Sequence, residues 1–150
     1  MYRLLISWVV LTAAVIAQPM TTGVQPAELR EPFNEAPYWY EATVVSTYDA
    51  DTTTLLVDLG FSVTIKQKFR LYGIDAWEVR GAERVEGLVA RDYLRSRMPP
   101  GTTVHIRTIK DKRGKYGRYL CVIWVEDELG KMVNLNNDLV AKGHAEFALY

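Results

Sequence analysis

The sequence predicts an α+β fold that is mainly β, a small barrel of five short strands with two or three helices. Most of the chain after residue 39 consists of short runs rich in β-branched residues, separated by turn residues. Two segments, 82–98 and 133–143, instead have the character of helices. The length of 150 residues fits one domain, and 49% hydrophobic with 24% charged residues is an ordinary globular composition.

The first 17 residues predict a signal peptide. Arg3 is followed by an uninterrupted apolar run of roughly 14 residues, whereas a membrane-spanning helix needs about 20. Val15 and Ala17 offer small residues at the usual positions before a cleavage site at Gln18. We therefore expect a secreted or periplasmic protein. The alternative is an uncleaved membrane anchor that leaves the domain facing outside.

A proline-rich linker is predicted at 18–38. Four of the six prolines lie there, at Pro19, Pro26, Pro32 and Pro37. Proline lacks a backbone donor and fixes φ, so this composition favours a linker over a folded element. The folded domain is therefore expected at 39–150.

The first strands are predicted directly after the linker. EATVVSTYD is rich in β-branched residues and ends in acidic turn residues. TTTLLVDL and SVTIKQKF both alternate and are separated by Gly60, which predicts a hairpin. FRLYGI, at 69–74, predicts a further strand.

The helix predicted at 82–98 ends at the Pro-Pro-Gly sequence that follows it. Its apolar face is expected to carry Val85, Leu88, Val89 and Tyr93.

Two more strands, TTVHIRTI and RYLCVIWVED, are joined by a basic turn, and the short second helix stops at Gly143. The order is thus three strands, a helix, two strands and a helix. Five short strands with an intervening helix suggest a Greek-key barrel of the OB type. Such a fold does not by itself define a function.

The overall charge excludes one class of function. The chain carries 18 basic and 18 acidic side chains, which argues against a general coating of polyanions but permits a local basic patch. Cys121 is the only cysteine, so no internal disulfide forms, and its apolar neighbours predict a buried thiol. With two histidines and one cysteine, no structural zinc cluster is expected.

Two acidic motifs are candidates for metal binding. Asp49 and Asp51 are two residues apart, so they share a face if the strand continues through them, and their repulsion would be relieved by a cation. A simple turn is the alternative. In FRLYGIDAWE, Arg70 precedes Asp75 and Glu78 where a strand ends, and the alternative there is a surface ion pair.

A basic turn at 107–120 is a candidate for binding phosphate. Only Asp111 opposes its cations, and Tyr116 among them is placed to stack on a base or sugar. A solvated charged hairpin is the alternative. The cations are Arg107, Lys110, Lys112, Arg113, Lys115 and Arg118.

Together these motifs favour cleavage of a phosphodiester. Carboxylates bind hard divalent cations, guanidinium groups bind phosphate oxygens in pairs, and a glutamate can orient or deprotonate water.

The motifs also resemble those of the staphylococcal-nuclease-like, or thermonuclease, family from about Thr43 to Phe147. YDADT, FRLYGIDAWE, GLVARDYL, KYGRYL and MVNLNNDLVAKGHA occur in the family's order and spacing. Two features depart from the family pattern. Residue 76 is alanine where threonine is frequent, and the loop after Glu78 is shorter.

The resemblance implies a role for each motif residue. Calcium would be bound by Asp51, Asp75 and the backbone carbonyl of Ala76. Asp49 would lie next to Asp51 without binding the ion directly. Glu78 would activate or position water. The remaining residues would bind the substrate: Arg70 and Arg118 the phosphate that is cleaved, and Lys115 and Tyr116 a terminal phosphate of the nucleotide.

The function implied is that of an exported, calcium-dependent endonuclease that hydrolyses DNA and RNA and leaves 3′-phosphate ends. No protein partner is implied, and we expect a monomer. One alternative is a non-catalytic OB-fold module that binds nucleic acid and is tethered by an N-terminal membrane anchor. Another is a tethered structural protein whose charges lie only on its surface.

Overall fold

The structure is a computed structural model, and it describes residues 38–113 and 117–149. The predicted signal peptide lies outside the described residues, as does the predicted linker apart from Tyr38. Lys115 and Tyr116 of the basic turn also lie outside them. Among the residues described, no helix has both the length and the apolarity to cross a bilayer.

Eight strands and two α-helices make up the described part of the chain, with a short 3-10 helix at Gly81–Glu83 before the first α-helix. In chain order they are β1 (Trp39–Thr47), β2 (Thr52–Asp58), β3 (Thr64–Leu71), β4 (Ile74–Ala76), α1 (Arg84–Arg97), β5 (Thr103–Arg113), β6 (Tyr119–Glu126), β7 (Met132–Asn134), α2 (Leu135–Ala141) and β8 (Ala145–Phe147).

Five of these strands form a closed barrel. Antiparallel pairing gives the order β3-β2-β1-β5-β6, and parallel pairing of 69–71 in β3 with 119–121 in β6 closes the ring. β7 extends the sheet beside β6, while β4 and β8 form a separate two-stranded sheet. The prediction of an α+β, mainly β fold with a five-stranded barrel of the OB type is confirmed.

FRLYGI does not form a strand of its own. Its first three residues are the last residues of β3, and Gly73 then turns the chain with a φ of 74°. β4 begins at the next residue and pairs with β8 instead. Glycine adopts such a positive φ without steric penalty, so the chain can leave the barrel sharply at this point. The turn carries Asp75 away from the strand that holds Arg70.

The predicted apolar face of α1 is right at Tyr93, which packs against the core, and at the half-buried Leu88, but wrong at the two valines. Val85 and Val89 are 69% and 55% exposed, whereas Gly87, Ala90 and Leu94 are the buried positions of the helix. The buried stripe begins with small residues because the helix approaches the backbone of the preceding loop closely. A pattern that counts only large apolar side chains does not detect such a face.

A buried asparagine ties α2 to the barrel. Asn136 is 0% exposed, and its side-chain nitrogen donates to the carbonyl of Tyr72 at 2.9 Å. Its side-chain oxygen accepts from the amide of Ile123 at 3.1 Å. Buried polar groups need such partners. Because Tyr72 lies in the turn between β3 and β4, this contact also fixes the turn that leads to Asp75.

Candidate active site

The pairing of β2 with β3 places Arg70 beside Asp51. Asp51 directly precedes β2, and the next residue, Thr52, lies opposite Arg70 in the sheet. The guanidinium contacts both carboxylate oxygens, from Nη1 to Oδ1 at 3.2 Å and from Nη2 to Oδ2 at 2.9 Å. Such forked, charged pairs are among the strongest hydrogen-bonded contacts in proteins.

The same guanidinium contacts a second carboxylate. Nη2 of Arg70 lies 2.5 Å from Oδ1 of Asp75 in β4. The side chain of Asp75 is 65% exposed, while that of Asp51 is 5% exposed. Arg70 thus lies between an exposed carboxylate, that of Asp75, and a buried one, that of Asp51. The surface ion pair considered from the sequence accounts for the contact with Asp75 only.

Asp49 and Asp51 do not share the face of a continuous strand. β1 ends at Thr47, the backbone bends over 48–51, and the amide of Asp51 donates to Oδ1 of Asp49 at 3.1 Å. The backbone therefore turns here, and an aspartate that accepts from the amide two residues later stabilises such a bend. The turn still keeps the two acidic residues close to each other.

Burial and charge raise the pKa of Asp51 to about 7. Burial is the largest cause, because loss of water disfavours the ionised form, and the neighbouring charge of Asp49 acts in the same direction. The Arg70 guanidinium and the hydroxyl of Thr52 oppose the rise. Burial together with Asp49 therefore outweighs the stabilisation of the ionised carboxylate by Arg70 and Thr52.

The second predicted arginine reaches the same carboxylate through a hydroxyl. Nη1 of Arg118 donates to Oγ1 of Thr52 at 2.8 Å, and that hydroxyl donates to Oδ1 of Asp51 at 2.8 Å. Thr52 is 2% exposed, so its hydroxyl is held firmly between its partners. The sequence analysis missed this bridging role, although Thr52 is the last residue of the YDADT motif.

Glu78 lies in the exposed loop between β4 and the 3-10 helix. Its amide donates to Oε2 of Glu83 at 3.2 Å. On the other side, α1 packs so closely that a Cβ atom on Gly87 would lie 2.2 Å from the carbonyl oxygen of Glu78. The backbone of Glu78 is therefore positioned by a helix whose contact residue has no side chain.

The predicted calcium ligands can be compared with the chemistry of the cluster. Asp51 and Asp75 supply carboxylate oxygens, the ligand type that hard cations prefer, and both carboxylates pair with the Arg70 guanidinium. The amide of Ala76 donates to Oδ2 of Asp51 at 3.4 Å. Within residues 38–113 and 117–149, no three His, Cys, Asp or Glu side chains converge as metal ligands. A cation here would therefore also need backbone or water oxygens.

The basic turn divides into parts with different environments. Arg107 is 6% exposed within β5, so it does not belong to an exposed basic patch. Arg118 joins the acidic cluster of Asp51 and Asp75 through Thr52, while the predicted substrate-binding residues Lys115 and Tyr116 lie outside the described residues. The structure thus brings Asp51, Arg70, Asp75, Ala76 and Arg118 together at one end of the barrel.

A family model described as staphylococcal nuclease homologue matches residues 68–150, more than half of the chain. A search of curated proteins found no match. The matched segment includes Arg70, Asp75, Glu78 and Arg118, and it begins after Asp51.

Proposed function

The chain belongs to the staphylococcal nuclease homologue family, and from that premise we propose that it is an exported, calcium-dependent endonuclease. It would hydrolyse phosphodiester bonds in DNA and RNA and leave 3′-phosphate ends. Family membership indicates a nuclease or a nucleic-acid-binding module. One observation supports the enzymatic choice: Arg70 in β3 and Arg118, which directly precedes β6, both reach Asp51, directly or through Thr52.

The two arginines would bind the phosphate that is cleaved. A phosphodiester resists attack because its negative charge repels nucleophiles. Guanidinium groups match the phosphate oxygens in shape and charge and neutralise them as charge builds in the transition state. Arg70 is already held near the surface by the exposed Asp75, so a phosphate can compete with that carboxylate for one of its nitrogens.

The two aspartates would hold the cation. Asp51 and Asp75 supply carboxylate oxygens, and the backbone of Ala76 lies next to Asp51. A bound calcium ion would supply further neutralisation of the phosphate oxygens. The raised pKa of Asp51 supports this assignment, because a carboxylate that is buried beside a like charge is stabilised by an added positive charge.

Glu78 would act on the water. As general base, its carboxylate would accept a proton from water while the water oxygen bonds to phosphorus. The bond from phosphorus to the 5′ oxygen would break opposite the attack, that oxygen would take up a proton from solvent water, and Glu78 would return its proton to solvent. The products are a 3′-phosphate and a 5′-hydroxyl.

The non-catalytic binding module is the second candidate, and one observation favours it. The Arg70 guanidinium lies between the two carboxylates that would hold the cation, so an internal positive charge already balances them. A protein that kept this arrangement would bind a phosphate backbone without cutting it.

A digestion assay separates the candidates. Protein lacking residues 1–17 is incubated with plasmid DNA and with RNA, in calcium or in excess chelator. We expect both substrates to be cut in calcium only, with fragments that become extendable by a polymerase after their 3′ phosphate is removed. Digestion that continues in chelator would exclude the proposed calcium site. Binding without any digestion in calcium would favour the second candidate.

Export is tested separately. N-terminal sequencing of protein recovered from the medium or periplasm is expected to begin near Gln18. Protein that retains Met1 in the membrane fraction would support the anchored alternative.

A further inference from the structure

A cleft opens beside Arg118 and contains two residues for which the proposed mechanism has no use. Its volume is about 330 Å³, and the described residues that line it are Tyr48, Thr52, Lys68 and Arg118. This volume is at the lower end of the range for small-molecule sites. Thr52 and Arg118 are also linked to Asp51 by hydrogen bonds, so the cleft is continuous with the place where the phosphate would be cleaved.

Strand pairing explains why Lys68 lies in this cleft. Lys68 and Arg70 are two residues apart on β3, so they share a face, and they lie opposite Thr54 and Thr52 on β2. Tyr48 comes from the bend after β1, where its amide donates to the carbonyl of Thr52 at 3.0 Å. The bend and the strand thus approach the cleft from two sides.

The chemistry of the lining selects for an anion with a flat ring. Lys68 and Arg118 are cationic, Thr52 is a hydroxyl, and no carboxylate is among the described lining residues. Tyr48 is 50% exposed, so one part of its ring is open to a ligand. The Lys68 amine lies 6.0 Å from the centroid of that ring, at the limit of a cation–π contact, so it can turn to a phosphate beside the ring.

We propose that this cleft binds the nucleotide next to the scissile phosphate, with its base stacked on Tyr48 and its phosphate paired with Lys68. This inference rests on the proposed function, because it places one nucleotide of a strand whose neighbouring phosphate lies at Arg70 and Arg118. The cleft would thus contact the base of this nucleotide through Tyr48 and its phosphate through Lys68. It also gives a reason for an exposed tyrosine beside a lysine at the margin of the acidic cluster.

The test uses substrate binding in a protein that does not cut. In the Glu78→Gln background, Kd for a fluorescent single-stranded hexanucleotide is measured by anisotropy in calcium. Tyr48→Ala and Lys68→Gln are each expected to raise Kd about tenfold, because base stacking and phosphate pairing are lost. Tyr48→Phe and Lys68→Arg retain the ring and the charge and are expected to restore binding to within about twofold.

Two exposed residues outside the cleft lining serve as matched controls. Lys66 lies on the same face of β3 as Lys68, and Phe61 is fully exposed at the tip of the β2–β3 hairpin. Lys66→Gln and Phe61→Ala are expected to change Kd less than twofold. Equal effects from the controls and the cleft variants would show a general loss of charge or aromatic surface and would overturn the proposal.

A substrate series makes the test specific for the base. Hexanucleotides with one abasic position are compared, and one of these positions is expected to weaken binding in the parent protein but not in Tyr48→Ala. If every abasic position weakens both proteins equally, no base stacks on Tyr48 and the proposal fails. Binding is measured without cleavage, so this outcome is separate from failure of the digestion assay. Failure of the digestion assay would exclude the proposed nuclease activity, and the cleft would then belong to a nucleic-acid-binding module.

Discussion

Asp51 is the most deeply buried acidic residue in the described part of the chain, with 3% of its surface exposed. It faces the like charge of Asp49 and the opposite charge of Arg70, and burial is the largest cause of the rise in its pKa. Acidic residues whose pKa is raised by burial and by a neighbouring like charge cluster at functional sites. The same side chain that would bind a cation should therefore destabilise the protein when no cation is present.

We predict that Asp51→Asn stabilises the calcium-free protein at pH 8. The folded pKa, about 7, is above that of the unfolded chain, so the native state holds this proton more tightly. The contribution of Asp51 to stability is thus complete below about pH 4 and is lost as pH rises through about 7. Asparagine does not ionise and so avoids that loss. Since each unit of pKa difference corresponds to about 1.4 kcal/mol, we expect the free energy of unfolding to rise by roughly 2 kcal/mol or more.

Urea unfolding in chelator at pH 5 and pH 8 measures this effect. The advantage of Asp51→Asn should be largest at pH 8 and shrink toward pH 5, where the wild-type carboxyl is mostly protonated. Asp92→Asn, at an exposed position on α1, is the control and should shift stability little at either pH. A variant that is less stable than wild type at pH 8 would show that the pair with Arg70 outweighs burial.

Glu78→Gln should abolish most activity and leave the fold intact. The substitution keeps the size of the side chain and removes its ability to accept a proton, and general-base catalysis contributes about 100-fold to 10,000-fold. Cleavage rate at saturating substrate and far-UV circular dichroism measure the two properties. Glu41→Gln, at an exposed position on β1, is the matched control. Near-normal turnover in Glu78→Gln would assign the handling of water to another residue.

At the scale of elements, α1 contributes its backbone surface to the site rather than a side chain. Gly87 allows the helix to contact the backbone of Trp77 and Glu78, and a Cβ atom there would meet backbone atoms at 2.2 to 2.8 Å. Backbone atoms cannot rotate out of the way as the end of a flexible side chain can. The position of the Glu78 loop therefore depends on the absence of one methyl group.

We predict that Gly87→Ala displaces the Glu78 loop and lowers kcat more than it raises KM. Alanine has a higher helix propensity than glycine, so the substitution alone would stabilise the helix. The loss of about 1–3 kcal/mol that we expect in the free energy of unfolding would therefore come from overpacking against the loop. Val89→Ala, at an exposed position of the same helix, is the control and should change neither quantity much. If Gly87→Ala is as active as wild type and more stable, the loop is not positioned by this contact.

Across the whole molecule, local patterns predicted the five strands of the barrel and the Gly60 hairpin, because alternation and turn residues act over short distances, but they did not predict the short strands β4, β7 and β8. Close packing at Gly87 and the hydrogen bonds of Asn136 were not predicted, because each depends on segments far apart in sequence. The motifs indicated Asp51, Arg70 and Asp75 as one group, and the structure does bring them together. The bridge from Arg118 through Thr52 became visible only once β6 lay beside β3.

The last prediction concerns calcium and the stability of the whole fold. A ligand that binds only the native state stabilises it by about 2.7 kcal/mol when present at 100 times its Kd. Thermal melts of wild-type protein should therefore shift upward by roughly 5 °C or more between chelator and saturating calcium. Asp51→Asn should begin at the higher stability expected above and gain almost nothing from calcium. A tethered structural protein with only surface charges predicts no shift in either protein, and an equal shift in both would place the calcium away from Asp51.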